Sequence, residues 1–125
     1  MKYVHYAPRA PLFLVEGEPG AVAARLMELA LEQKAQGKRV GILSCSGLGD
    51  YAAVGQVVEA GHRENPVTVA AGLYAALRRF NELDVDLILA EGLEDSGVGL
   101  AVMNRLRKAA AVRIVAGNQP KARGE

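Results

Sequence analysis

Hydrophobic positions along the chain switch between short continuous runs and helical spacing. Leu12 to Val15 is a short apolar run closed by Gly17 and Pro19, which predicts a buried strand. A helix is predicted from Pro19 to Gln36. Val22, Leu26 and Leu29 keep one face apolar, Pro19 suits a first helical position and Gly37 is a natural stop. Val40 to Ser44 forms the second predicted strand. A short helical turn over Gly49 to Val54 and a weak third strand over Val57 to Glu59 follow. Asn65 and Pro66 mark the next helix start. Val69, Leu73, Ala76, Leu77, Phe80 and Leu83 then recur at spacings of three and four, the clearest helical signal in the chain. The stretch VDLILAEG is continuously apolar and predicts a fourth strand buried on both faces. A last helix over Val98 to Ala109 and a fifth strand in AVRIVAG complete the pattern.

Strands alternating with helices imply an α/β fold with a parallel sheet covered on both faces. The expected architecture is a three-layer α/β/α sandwich, Rossmann-like, with a five-stranded, mainly parallel sheet. Right-handed crossovers prune the topologies, and the expected strand order is 3-2-1-4-5. The folded domain is expected to span residues 12–117. Residues 1–11 form a separate leader, and the polar residues 118–125 form a disordered tail.

Composition narrows the function classes. A chain of 125 residues, 50% hydrophobic and 23% charged, fits one domain with one core. A net charge of +1 argues against a large nucleic-acid footprint, which needs clustered excess cations. A single cysteine, Cys45, allows no intramolecular disulfide and suits a cytoplasmic protein. No apolar run approaches the roughly 20 residues that span a bilayer, so no membrane partner is expected. Two histidines and one cysteine are too few for an ordinary zinc site, and no metal is expected.

In parallel sheets ligands bind beyond the carboxyl ends of the strands. Gly47 and Gly49, after the second strand, could bring backbone N–H groups to a phosphate, but Ala52 stands where a dinucleotide fingerprint has its third glycine. A plain tight turn explains them as well. Cys45 reads as a buried, unreactive thiol. Glu91 stands at the tip of the fourth strand, followed by Glu94, Asp95, Gly97 and Gly99, with Asn104 and Arg105 in the helix beyond. One reading is a polar ligand or partner surface of Gly47, Gly49, Glu91, Gly97, Asn104 and Arg105. The other is helix capping plus an arginine–carboxylate pair.

The leader, MKYVHYAPRAP, holds Tyr3 and Tyr6 of the four tyrosines and His5 of the two histidines. Pro8 and Pro11 keep its path extended. It either drapes over another surface or packs as an edge strand.

Lys2 to Pro8 resembles the linker motif Lys-Tyr-Arg-His-Tyr-Ala-Pro of the two-domain threonylcarbamoyl-AMP synthases. LYAALRRFNELDVDLILAEGL and GVGLAVMNRLRKAA resemble the C-terminal domain of the same family. The resemblance implies a Rossmann-like accessory domain, not catalytic by itself. Its partner would be an N-terminal catalytic domain that makes threonylcarbamoyl-AMP from threonine, bicarbonate and ATP for the threonylcarbamoyladenosine modification of tRNA. It implies no cofactor bound by this domain, with ATP and magnesium held by the parent nucleotidyltransferase. It implies that Lys2, Tyr3, His5 and Tyr6 lie over the mouth of the partner domain's active site as a lid. Contact with tRNA would be indirect, and a homodimer is left open. Val4 replaces the family's arginine, which removes one contact from such a lid. The alternative is a ligand-sensing Rossmann-like domain that binds a small anion or nucleotide.

Overall fold

The computed structural model describes residues 8–45 and 50–117. Five strands, β1 (Leu12–Glu16), β2 (Val40–Ser44), β3 (Gln56–Glu59), β4 (Leu87–Glu91) and β5 (Val112–Val115), form one sheet in which every pairing is parallel. Three helices join them: α1 (Pro19–Ala35), α2 (Pro66–Leu83) and α3 (Gly97–Ala109). The α/β sandwich expected from the alternating pattern is the fold observed. The weak third strand is real, while the expected helical turn before it is a hydrogen-bonded turn closed by Val54 N–H and Gly55 N–H on the Tyr51 carbonyl. The expected tail, residues 118–125, lies outside the described residues.

The expected strand order is corrected. The sheet runs β3-β2-β4-β1-β5, so β4 separates β1 from β2 and β5 pairs with β1. Burial supplies the physical reason. β2 and β4 are buried at every position and take the interior of the sheet, whereas most of β3 and β5 is exposed at the two edges. Three of the four connections therefore skip one strand instead of joining neighbours.

This order also decides which face each connection covers. Strands 1→2 and 2→3 progress one way across the sheet, and 3→4 and 4→5 progress the other way. With crossovers of one hand, the first two connections must lie on one face and the last two on the other. The core divides accordingly. Val22, Leu26, Leu29 and Ala30 of α1 pack with Tyr51, Val54, Val40, Ile42, Leu87 and Leu89. On the opposite face, Val69, Leu73 and Phe80 of α2 and Val102, Met103 and Leu106 of α3 pack on Leu12, Leu14, Leu43, Ile88 and Ala90.

Local signals set the helix ends. Pro19 and Pro66 open α1 and α2, where a missing N–H breaks no helical bond. Gly37 adopts φ +83° and donates to the Lys34 carbonyl, closing α1 in a conformation that disfavours a side chain. α2 closes on Asp84, a non-glycine residue at φ 58° whose N–H donates to the Phe80 carbonyl. Arg39 reaches both Asp84 and Asp86, which fastens this corner at the amino ends of β2 and β4.

Candidate functional site

Connections leave β2 and β4 in opposite directions and on opposite faces, so the crevice between their carboxyl ends is the topological switch point of the sheet. Glu91 fills it. Alternation along β4 sends Leu87, Leu89 and Glu91 to the α1 face, and Ser44 points the same way from β2. Glu91 is completely buried. Its Oε1 accepts from Cys45 N–H at 2.7 Å and from Ser44 Oγ at 3.3 Å, and its Oε2 accepts from the Tyr51 hydroxyl at 2.6 Å. Arg63 lies 3.8 Å from Oε1 and donates to the Gly92 carbonyl at 3.2 Å. Arg63 N–H in turn donates to the Cys45 carbonyl.

The electrostatics favour a locked cluster. Burial, followed by the hydrogen bond to Glu91, pushes the Tyr51 phenol upward, so it stays a donor at neutral pH. Burial and then the charge of Glu91 push the Cys45 thiol up to about 12, which removes it as a nucleophile. The carboxyl oxygens of Glu91 are occupied by β2, by the β2–β3 connection and by the loop after β3. The arrangement ties three chain segments together at the switch point.

Glu16 forms a second buried centre at the carboxyl end of β1. Arg107 Nη2 donates to it at 2.8 Å and Arg113 Nε at 2.6 Å, and Arg107 also reaches Asp95 at 2.7 Å. Burial alone would raise the Glu16 pKa, but the two arginines together hold it below its ordinary value. Stability from this group is therefore complete above the unfolded value near 4.5 and lost as pH falls through the lower folded value. Glu16→Gln is expected to be less stable than wild type at neutral pH. The gap in melting temperature should shrink as the pH falls below the unfolded value near 4.5. A gap that stays constant would remove the charge from this account.

The expected surface is not brought together as one site. Glu91 is internal, whereas Asn104 and Arg105 lie on the exposed face of α3, outside the Glu91 network. Gly97 opens α3 at φ 55° with open space around it. Gly47 and Gly49, like Lys2, Tyr3, His5 and Tyr6, lie outside the described residues. The arginine–carboxylate alternative is present as Arg107–Asp95, though Ser96 makes no side-chain cap. Sequence reading missed Tyr51 and Arg63. Tyr51 follows two closely spaced glycines in the sequence and precedes apolar residues, a usable signal; Arg63 carries none.

Among the described residues there is no group of three or more histidine, cysteine or acidic side chains that could hold a metal, and no helix is long and apolar enough to cross a membrane.

Comparison with known proteins agrees with the segments quoted above. The family model for the C-terminal domain of threonylcarbamoyl-AMP synthase matches residues 1–111. The threonylcarbamoyl-AMP synthase of Bacillus subtilis is 48% identical over 115 residues, covering 92% of this chain and 32% of the relative. That of Pyrococcus abyssi is 44% identical over 120 residues, with the same coverage of 92% and 32%. The crystal structure of Pyrococcus abyssi Sua5 complexed with L-threonine superposes with a TM-score of 0.78 at 43% identity, covering 92% of this chain and 32% of that one. A C-terminal Sua5 domain from Pyrococcus horikoshii superposes with a TM-score of 0.71 at 34% identity, covering 88% of this chain and 100% of that one. The chain thus spans about a third of the length of these synthases. It belongs to the family of threonylcarbamoyl-AMP synthase C-terminal domains.

Proposed function

We propose that this chain is the accessory C-terminal domain of a threonylcarbamoyl-AMP synthase. In this reading an N-terminal catalytic domain condenses threonine, bicarbonate and ATP to threonylcarbamoyl-AMP, pyrophosphate and water, supplying the modification of tRNA in the cytoplasm. The present domain docks on it and carries Lys2, Tyr3, His5 and Tyr6 over its site as a lid, which excludes water and commits substrate. The observation that carries the reading is the extent of the match: 92% of this chain against only 32% of each synthase. The Pyrococcus abyssi relative is described in complex with L-threonine, which suits the substrate assigned to the longer polypeptide.

The Glu91 cluster supports a structural role for this domain. Glu91 is completely buried, and both its oxygens already accept hydrogen bonds from the domain's own groups.

Two measurements test the proposal. The chain alone, given threonine and bicarbonate, is expected to release no pyrophosphate from ATP; release above background would overturn the accessory role. In a synthase that carries both domains, Tyr6→Ala is expected to lower turnover while the melting temperature stays unchanged. Unfolding by Tyr6→Ala would make the leader an element of the core and end the lid reading.

A further inference from the structure

We propose that β5 is a pairing edge for a second copy of this chain, which joins two sheets through an antiparallel β5–β5 contact. Among the described residues no strand pairs with the outer side of β5, the last strand of the sheet beyond β1. Val112 is 42% exposed, and Val115, at 68%, is the most exposed large hydrophobic residue described. Unpaired N–H and C=O groups along an apolar edge are a template for another strand.

The two edges of the sheet are protected differently. β3 exposes a carboxylate, Glu59, and an amide, Gln56, among its four residues. Charge at an edge opposes pairing. β5 has one charged residue, Arg113, and its guanidinium is drawn back over β1. Its Nε donates to Glu16 Oε2 at 2.6 Å and its Nη2 to Glu16 Oε1 at 3.3 Å. This charge is answered within its own copy and does not bar an approaching strand. The α1 face is open here as well. α1 packs over β4, β1 and β2 and leaves β5 at its margin. Phe13 and Ile114 on that face are half-buried, and Val112 is exposed.

Backbone direction and symmetry select the second copy as the occupant. Ala116 N–H donates to the Glu16 carbonyl. By the alternation of a strand, Arg113 and Val115 then turn their N–H and C=O groups away from β1. About a two-fold axis normal to the sheet, Arg113 of each copy faces Val115 of the other and exchanges both backbone bonds with it. Ile114 meets Ile114 of the second copy on the axis, a β-branched pair. The same axis keeps both α1 faces on one side, so the two patches of Phe13, Val112 and Ile114 merge. An unrelated strand would satisfy the backbone alone, whereas a second copy also matches the side chains and sets no arginine against another. β5 has only four residues. The contact therefore buries less than the roughly 1,200 Å² of a stable interface, and the association is weak and concentration-dependent.

Sedimentation velocity of this chain from about 10 µM to about 1 mM should show monomer giving way to dimer. Val115→Pro removes one outward N–H from each copy and no bond to β1, and is expected to weaken association at least about tenfold. Val115→Lys sets a cation opposite Arg113 of the second copy and should weaken it too. Val115→Glu, opposite the same arginine, should associate more tightly than Val115→Lys. Val57→Lys, on the β3 edge, is expected to change nothing.

A monomer at every concentration overturns the proposal. So does a dimer that tolerates Val115→Lys, or one that is lost in Val57→Lys. Equal association of Val115→Lys and Val115→Glu overturns the register, and with it the symmetric partner. If Val115→Pro fails to fold, the lysine and glutamate variants, which leave the backbone intact, decide the matter.

Discussion

Glu91→Ala is expected to destabilise the domain by about 3–5 kcal/mol, the range for removing one partner of a buried ion pair. The side chain has no solvent exposure, so water does not readily replace the lost oxygens. Removing it leaves Cys45 N–H and the Tyr51 hydroxyl without their acceptor, and leaves the Arg63 guanidinium buried without its anion. Each orphaned buried polar group is worth about 1–3 kcal/mol, so the parts agree with the whole. Glu91→Gln separates charge from hydrogen bonding. Its amide oxygen still accepts from Cys45, and its amide N–H can donate to a Tyr51 hydroxyl that turns to accept. Only the charge opposite Arg63 is lost, and the expected loss falls to about 1–3 kcal/mol. Urea unfolding of the three proteins measures this directly. A loss below about 1 kcal/mol in Glu91→Ala would mean that ordered water takes the place of the carboxylate, and that the clamp on the switch point is dispensable.

The same residue shows how far the sequence can be read. Its position was legible: an acidic residue at the tip of the most apolar run in the chain, at the carboxyl end of a parallel sheet. Its partners were not. Which strand lies beside β4 depends on the strand order, and neighbour-to-neighbour reasoning put β1 next to β2. With β4 inserted between them, Glu91 meets Ser44, Cys45 and Tyr51, residues 40 to 47 positions away. No local pattern encodes a separation of that kind. Helix boundaries, by contrast, came out close, because Pro19, Gly37 and Pro66 act on the backbone within a residue or two of where they stand. The bond from Arg9 N–H to Asn81 Oδ1, between residues 72 positions apart, was illegible for the same reason as the Glu91 cluster.

Phe80→Ala is expected to cost about 3–5 kcal/mol, and the glycine beneath the ring gives this prediction a sharper form. Phe80 is among the largest fully buried side chains, at 1% exposure. Its ring lies over Gly41 in the interior strand β2. A Cβ built at Gly41 would stand 2.8 Å from ring atoms Cδ1 and Cε1 and 3.1 Å from Val85 Cγ2. Ring and glycine therefore share one volume, and Gly41→Ala alone should overpack it at a cost of about 1–3 kcal/mol. In the Phe80→Ala background that volume is empty. The new methyl then fills part of the cavity, and alanine restricts the unfolded chain more than glycine does, which is worth about 0.4–1 kcal/mol. Gly41→Ala is therefore expected to change sign, from destabilising in wild type to neutral or stabilising beside Phe80→Ala. In a double-mutant cycle by urea unfolding the two losses should fall short of additivity by at least about 1 kcal/mol. Strict additivity would mean that the ring moves aside for the methyl at no cost, so that the α2 face of β2 is held by backbone pairing and not by the fit of Phe80 to Gly41.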